Sequence, residues 1–250
     1  MCRDHSRFYD LQQIYSYYDL ENFPELEFEP VYHEIAGTAS QWPIVIMKNG
    51  KREIIAAVWG LLPWYAKTRK DADMYKVKMV NARQETIFES NTYKYSIAKT
   101  RCIIPSPGFY EHHHEIGGKR KIPYFIRMRD TDIFSLAGIY SNLVDKETGE
   151  VITSFSIITT AANEFMGRIH NGGDNSGRMP LMLEKDMLST WLDPATPAEK
   201  IKELLSYKIE SKRLIAHPVF TIRGKNRLTG SAVIEECAYP DYSLDLSSQD

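Results

Sequence analysis

The spacing of apolar residues predicts a helix near the N-terminus and a hairpin after it. Within residues 7–20, apolar side chains recur every three or four positions, at Phe8, Leu11, Ile14, Tyr15 and Tyr18. This spacing is typical of an amphipathic helix. Two apolar runs at residues 43–47 and 54–59 flank Asn49-Gly50. That dipeptide between two apolar runs predicts a tight turn joining two strands.

Short apolar runs continue through the middle of the chain and predict further strands. They lie at residues 102–104, 108–112, 124–128, 134–140 and 154–159. Helical spacing returns at residues 161–169 and 185–192. A last helix is predicted after Thr196, because Thr196-Pro197-Ala198-Glu199 has the pattern of a capping box with proline at the first helical position.

The order of these elements predicts the fold class. The strands follow one another in hairpins and do not alternate with helices. We therefore predict an α+β fold built on an antiparallel, barrel-like β-sheet with flanking helices. Since no repeat or linker divides the sequence, we predict a single domain over residues 1–250, with a core at about 2–220 and an acidic tail at 235–250.

The composition is that of an ordinary globular protein, with 43% hydrophobic and 26% charged residues. No apolar run approaches the roughly 20 residues that a membrane helix needs, and the N-terminus lacks an apolar core of the secretory type. We expect a cytoplasmic protein with no membrane partner. The three cysteines, Cys2, Cys102 and Cys237, are too few and too scattered for a disulfide framework or a zinc site.

The charged residues are unevenly distributed, although the net charge is only −2. Residues 67–83 contain six basic and two acidic side chains. Such a stretch is most often a solvated surface, but it can also contact a few phosphates. Residues 112–114 are three histidines; alternate ones share a face of a strand, and two ligands without a third do not make a metal site. We expect no metal and no cofactor.

Cys2 is the first candidate for chemistry. Removal of Met1 would give Cys2 a free α-amine beside its thiol, and both groups are partly in their nucleophilic forms near neutral pH. Such a 1,2-aminothiol condenses with an aldehyde to a Schiff base, and the sulfur then closes a five-membered thiazolidine ring. Taken alone, a cysteine at position 2 is weak evidence for this chemistry.

Four further segments accompany this cysteine and give it a context. They are Trp59-Gly60-Leu61-Leu62-Pro63-Trp64, Asn81-Ala82-Arg83-Gln84-Glu85-Thr86, Pro105-Ser106-Pro107-Gly108-Phe109-Tyr110-Glu111, and Ile169-His170 followed after a loop by Gly177-Arg178-Met179-Pro180. Together, in this order, they resemble the SRAP family (SOS response-associated peptidase, or abasic-site processing domain). The resemblance extends from Cys2 to about Val219 and is specific only as a set.

The resemblance implies a DNA-damage function. Its substrate would be single-stranded DNA containing an abasic site, and the protein would act as a monomer, associated with the nucleoid during DNA damage. Cys2 would form a thiazolidine crosslink with the opened deoxyribose, and a lyase-like activity would remove strand substituents. Met1 would be removed by autoproteolysis.

The implied catalytic residues are Cys2, Asn81, Glu111 and His170. Asn81 would hold the terminal amine, Glu111 would transfer protons, and His170 would help to open the sugar ring. The implied DNA-binding residues are Arg83 and Arg178, for phosphates, and Trp64, for base stacking.

Simpler interpretations remain open for individual residues. Asn81 could cap a helix beginning near Arg83, Glu111 could be a surface carboxylate, and His170 could be a satisfied polar residue at a helix end. For the whole chain, the alternatives are a cysteine peptidase acting on other proteins and a non-covalent binder of single-stranded DNA.

The sequence also departs from the family pattern in three places. The family usually begins Met-Cys-Gly-Arg, whereas here Cys2 is followed by Arg3 and Asp4. Residues 171–177 open the compact His-x-Arg-Met-Pro motif, and residues 33–37 replace the usual Tyr/Arg-Asn-x-Ala-Pro segment. A loop rich in glycine and asparagine at 171–177 is expected to be flexible.

Overall fold

The computed structural model describes residues 3–21, 28–38 and 40–246. In these residues the strands, numbered in chain order, are β1 (Asp4–Arg7), β2 (Val31–Ile35), β3 (Gln41–Lys48), β4 (Lys51–Trp59), β5 (Asn81–Arg83), β6 (Arg101–Ser106), β7 (Phe109–His114), β8 (Lys121–Met128), β9 (Phe134–Val144), β10 (Val151–Ala161), β11 (Arg178–Pro180), β12 (Met182–Leu183) and β13 (Leu214–Pro218). The α-helices are α1 (Leu11–Tyr17), α2 (Arg69–Lys76), α3 (Lys94–Lys99), α4 (Glu164–Ile169), α5 (Leu188–Leu192) and α6 (Ala198–Leu205).

Five strands close into a barrel. Their order is β10-β4-β3-β6-β9, and β9 pairs back onto β10 over seven residue pairs. Four of these pairings are antiparallel, whereas β10 and β4 run parallel. Closing the sheet leaves the five strands without a free edge. The predicted barrel-like α+β fold is confirmed, with the addition that the sheet is not wholly antiparallel.

A second, antiparallel sheet lies beside the barrel, in the order β13-β8-β7-β1-β2. The short strands β5 and β11 both pair with β10, and β12 pairs with β9. These pairings bring segments that are far apart in sequence to the same end of β10. The domain boundaries stay a prediction.

The predicted hairpin is confirmed, with its turn at Asn49-Gly50. Lys48 lies opposite Lys51, and the pairing continues to Gln41 opposite Val58. Asn49 and Gly50 have φ values of 52° and 78°. A two-residue hairpin turn with both φ values positive strongly favours Asn-Gly, which explains why this dipeptide was informative.

Two predicted helix starts are wrong. The helix predicted over residues 7–20 is shorter, because Arg7 ends β1 and the Asp10 side chain caps the helix in a capping box with Gln13. At α6 the capping box is absent, since Pro197 is the N-cap and no side chain bonds to the cap. The Thr196 hydroxyl instead donates to the Thr190 carbonyl at 2.7 Å.

The other two predicted helices begin later than expected. Helix α4 starts after Asn163, whose side chain accepts a hydrogen bond from the Met166 amide. The segment 185–192 divides into a 3-10 turn, Lys185–Met187, and helix α5. Across the described residues, no helix has the length and apolar character that crossing a membrane requires.

Gly138 shows how closely the barrel strands pack. It lies in β9 between Cys102 of β6 and Ile157 of β10. A Cβ at this position would lie 2.3 Å from Ile104 Cδ1 and 3.0 Å from the Ser156 carbonyl oxygen. Because one of these neighbours is backbone, the strands themselves would have to move.

We expect Gly138→Ala to lower the free energy of unfolding by about 1–3 kcal/mol, the usual cost of overpacking a core. Denaturant unfolding measures this cost. Gly167→Ala in α4 is the matched control, because a Cβ there meets nothing within 4 Å. Alanine in a helix is more favourable than glycine by roughly 0.5–1 kcal/mol, so the control should be neutral or stabilising. Equal stability of the two variants would contradict this account of the barrel.

Candidate functional site

A cavity of about 450 Å³ opens where β1, β7 and β8 meet the end of α4. Its lining is almost entirely polar, and consists of Arg3, Asp4, Glu111, His112, His114, Lys121, His170, Gly172, Thr221 and Arg223. Two predicted catalytic residues, Glu111 and His170, lie in this lining. Among the described residues, Asn81, Arg83, Arg178 and Trp64 are outside it.

Glu111 and His170 face each other inside the cavity. Glu111 lies in β7 opposite Tyr124 of β8, and His170 is the C-cap of α4. Each residue is 5% exposed, and His170 Nε2 is 3.6 Å from Glu111 Oε2. The strand and the helix end therefore hold a carboxylate and an imidazole within reach of one small ligand.

The backbone around Arg178 sets the orientation of the His170 ring. His170 Nδ1 lies 2.9 Å from the Arg178 carbonyl oxygen. A carbonyl can only accept, so Nδ1 carries the hydrogen and donates it. Nε2 is left facing the carboxylate, where it can exchange a proton with a bound molecule.

Basic groups surround this acid–imidazole pair. Arg3, Lys121 and Arg223 contribute positive charge to the lining. Burial lowers the pKa of His112 to about 4, so this imidazole is neutral at pH 7. Burial alone would raise the pKa of the Asp4 carboxyl, but hydrogen bonds with His33 and Arg223 outweigh it and lower the pKa. The lining has three basic side chains against two carboxylates, Asp4 and Glu111, and this excess of basic groups favours binding of an anion.

Asn81 begins β5 and is buried, with Tyr93 donating from its hydroxyl to the Asn81 carbonyl oxygen at 3.3 Å. Residues 81–83 pair in parallel with Ile157–Thr159 of β10. The alternative that Asn81 caps a helix is therefore wrong, because the residues that follow it form a strand. Arg83 is exposed and donates to the Asn175 side chain at 2.7 Å.

Arg178 is buried and bound on two sides. Its guanidinium forms an ion pair with Glu85 and donates to the Thr159 carbonyl oxygen at 2.7 Å. Its backbone joins β11 to β10 opposite Ala161. To contact a phosphate as predicted, this side chain would have to exchange at least one of these partners.

Several hydrogen bonds fix the inserted loop at residues 171–177 to its neighbours. Asn171 accepts from the His114 amide at 2.8 Å and donates to the His114 carbonyl at 2.9 Å. The Gly177 amide donates to the His170 carbonyl at 2.8 Å, which returns the chain to the start of the loop. The insertion therefore leaves His170 and Arg178 adjacent in space.

Trp64 is 61% exposed and belongs to a surface cluster of aromatic rings. Its ring contacts Tyr65 and Tyr95 edge-to-face, with centroids 5.8 and 5.9 Å apart. Trp64 Nε1 donates to the Asn91 carbonyl at 3.1 Å, which fixes the indole on the surface. Exposed rings in a fixed orientation are suited to stacking on bases.

Cys2 lies outside the described residues. The next residue, Arg3, lines the cavity, and its guanidinium donates to the Val77 carbonyl at 3.1 Å. The sequence did not identify Asp4, Lys121 or Arg223 as site residues. Arg223 lies beyond the motifs that carry the family resemblance, so only the local run of basic residues at 223, 225 and 227 was available as a signal.

Comparison with known proteins places the chain in a family. The sequence profile described as SOS response associated peptidase (SRAP) matches residues 1–224. This chain belongs to the SRAP family. A crystal structure of a protein from Bacteroides thetaiotaomicron superposes with a TM-score of 0.84 at 30% identity, covering 95% of this chain and 100% of that one.

Curated SRAP relatives carry functional names. Abasic site processing protein YoaM of Bacillus subtilis is 30% identical over 224 residues, which cover 89% of this chain and 92% of that protein. Abasic site processing protein HMCES of Gallus gallus is 27% identical, with 79% of this chain and 63% of that protein covered.

Proposed function

We propose that this protein processes abasic sites by binding single-stranded DNA and forming a covalent thiazolidine with the lesion through Cys2. The names of its SRAP relatives support abasic-site processing as the general activity. The observation that carries the proposal is the Glu111–His170 pair in a cavity lined by basic residues. Arg3, which follows Cys2 in the sequence, is one of these lining residues.

The chemistry begins with the opened sugar, whose C1′ is an aldehyde. The Cys2 amine adds to C1′, and the carbinolamine loses water to give a Schiff base. The Cys2 thiol then adds to the C=N carbon, its proton passes to the nitrogen, and the thiazolidine ring closes. Glu111 and His170 deliver and remove the protons of these steps, while His170 also assists opening of the furanose.

Two further reactions belong to the same proposal. While Met1 is attached, the Cys2 nitrogen is an amide and cannot condense with an aldehyde, so Met1 must be hydrolysed first, with Cys2, Glu111 and His170 as the candidate autopeptidase groups. In the lyase step, Glu111 removes a C2′ proton made acidic by the Schiff base, and the 3′ phosphate leaves.

The DNA strand is proposed to contact the surface around the cavity. Arg3 and Lys121 in the lining, with the exposed Arg83, supply charges for phosphates. Trp64 supplies a platform for a base. Glu85 and Thr159 hold Arg178, so its contribution to phosphate binding requires a rearrangement on DNA.

We expect Trp64→Ala to weaken non-covalent binding of an oligonucleotide by about 1–3 kcal/mol, the usual value of one stacked base. Fluorescence anisotropy at fixed salt measures the loss. Trp64→Phe keeps a stacking face and should retain most of the affinity. If the alanine variant binds as the wild type does, Trp64 is not a base platform.

Intact-mass spectrometry tests the main proposal directly. After incubation with a single-stranded oligonucleotide containing one abasic site, the protein should appear at its mass without Met1 plus the oligonucleotide, less one water. An intact oligonucleotide of the same sequence should give no adduct. A protein that loses Met1 but gains no mass from abasic DNA would overturn the crosslinking proposal.

A further inference from the structure

Arg223 reaches the cavity from the far end of the chain. Its guanidinium donates from Nε to Asp4 Oδ1 at 3.1 Å and from Nη2 to Asp4 Oδ2. The side chain is 48% exposed, while that of Asp4 is 5% exposed. A buried carboxylate therefore holds the guanidinium of Arg223, while about half of the side chain stays exposed to solvent.

The segment before Arg223 is anchored on the sheet. Val219 and Ile222 are fully buried in a cluster with Tyr110 and Phe125. The Val219 amide donates to the Pro123 carbonyl at 2.9 Å. With these two side chains buried, the chain presents Arg223 at a fixed position beside β1 and β7.

The bond pattern leaves part of the guanidinium available. An arginine has five N–H donors, and the bonds to Asp4 engage only the Nε and Nη2 groups. Asp4 also contacts His33 Nε2 at 2.9 Å, so the carboxylate itself is fixed from a second side. Arg223 lines the cavity together with Lys121 and Arg3.

We propose that Arg223 binds a phosphate of the DNA strand at the cavity and that Asp4 is the positioning residue that holds its guanidinium. The proposal deepens the proposed function and rests on it. A fork of N–H donors on a fixed guanidinium matches the oxygens of a phosphodiester, whereas a lysine would offer only a mobile point charge.

The test measures binding to an oligonucleotide containing a tetrahydrofuran abasic analogue, which has no aldehyde and cannot crosslink. For single strands, each phosphate contact contributes about 0.7 to the slope of log K against log salt. We expect Arg223→Gln and Arg223→Ala each to reduce this slope by about 0.7 and to weaken binding. The glutamine variant retains a donor for Asp4, and thermal unfolding confirms that it is folded.

Arg227→Gln is the matched control. Arg227 is exposed on the same segment, four residues further on, and contacts the Gly224 carbonyl outside the cavity. It should keep the wild-type slope. Equal slopes for the wild type and Arg223→Gln, or an equal loss in Arg227→Gln, would overturn the assignment.

If Asp4 positions Arg223, the substitution Asp4→Asn should have opposite effects on DNA affinity in the presence and in the absence of Arg223. In the wild type, Asp4→Asn should weaken binding, because the guanidinium loses its charged anchor. In an Arg223→Gln background the same change only removes a negative charge, so it should strengthen binding. Stronger binding in both backgrounds would show that Asp4 does not act through Arg223.

These outcomes are independent of the crosslink. A wild-type protein that binds the tetrahydrofuran strand with an Arg223-dependent slope but never forms an adduct with an aldehyde would leave the Arg223 assignment intact. It would overturn only the covalent part of the proposed function.

Discussion

Replacing Cys2 with alanine is expected to abolish the heat-stable adduct with abasic single-stranded DNA. The thiazolidine needs an amine and a thiol on adjacent carbons of one residue, and alanine keeps only the amine. The Schiff base that the alanine variant can still form hydrolyses in water, so no adduct should survive heating. A denaturing gel after equal incubation times measures the difference as a complete loss of the shifted band.

Two other cysteine variants control for the loss of a thiol. Cys102 is fully buried in β6, and burial raises its pKa well above the usual thiol value, so it stays protonated and unreactive. Cys237 is only partly buried and lies near the end of the described chain. Cys102→Ala and Cys237→Ala should form the adduct as the wild type does.

The same gel separates the proposal from its alternatives. A non-covalent binder would show no heat-stable band with any variant, and equal affinity for intact and abasic strands. An adduct of equal intensity in the wild type and Cys2→Ala would show that another nucleophile reacts with the aldehyde.

The barrel strands were predictable because local patterns determine them. The hairpin β3–β4 follows from two apolar runs around Asn49-Gly50, and β6, β9 and β10 are apolar runs buried in the barrel. The parallel pairing of β10 with β4 was not predictable in this way. It joins Ser154 to Val58, nearly a hundred positions apart, and no local signal specifies such a partner.

Strand β1 was not predicted because its residues are of the types that usually lie on protein surfaces. Its four residues, Asp4 to Arg7, are all polar or charged, and all four are buried. Remote partners compensate the burial of the two charged residues: Arg7 pairs with Glu34, and Asp4 pairs with His33 and Arg223. Polar residues are buried when such partners exist, and a single sequence does not reveal them.

The candidate site was predictable only in part for the same reason. Glu111 and His170 were identified from motifs, and the structure brings them together. Asp4 binds Arg223, which lies 219 positions away in the sequence. Nothing near either residue in the sequence indicates that pairing.

Removing either member of the acid–imidazole pair is expected to slow crosslinking by about 10²–10⁴-fold, the range that a positioned general acid or base contributes. Glu111→Gln keeps the shape of the side chain but can neither accept nor deliver the proton. His170→Asn removes the imidazole while offering a donor toward the Arg178 carbonyl, which limits disturbance of β11.

The measurement is the crosslinking rate at saturating abasic DNA, on protein whose mass confirms that Met1 is absent. This condition separates the chemistry of the lesion from release of Met1, which the same residues are proposed to assist.

His113→Asn provides the matched control for the imidazole. His113 is also buried in β7 and its Nδ1 lies 2.8 Å from a backbone carbonyl, that of Arg168, yet it does not line the cavity. If the effect of His170→Asn came from a lost buried imidazole and not from proton transfer, His113→Asn would slow the reaction similarly. We expect instead that His113→Asn crosslinks at the wild-type rate, because His113, unlike His170, lies outside the lining of the cavity in which the sugar is proposed to bind.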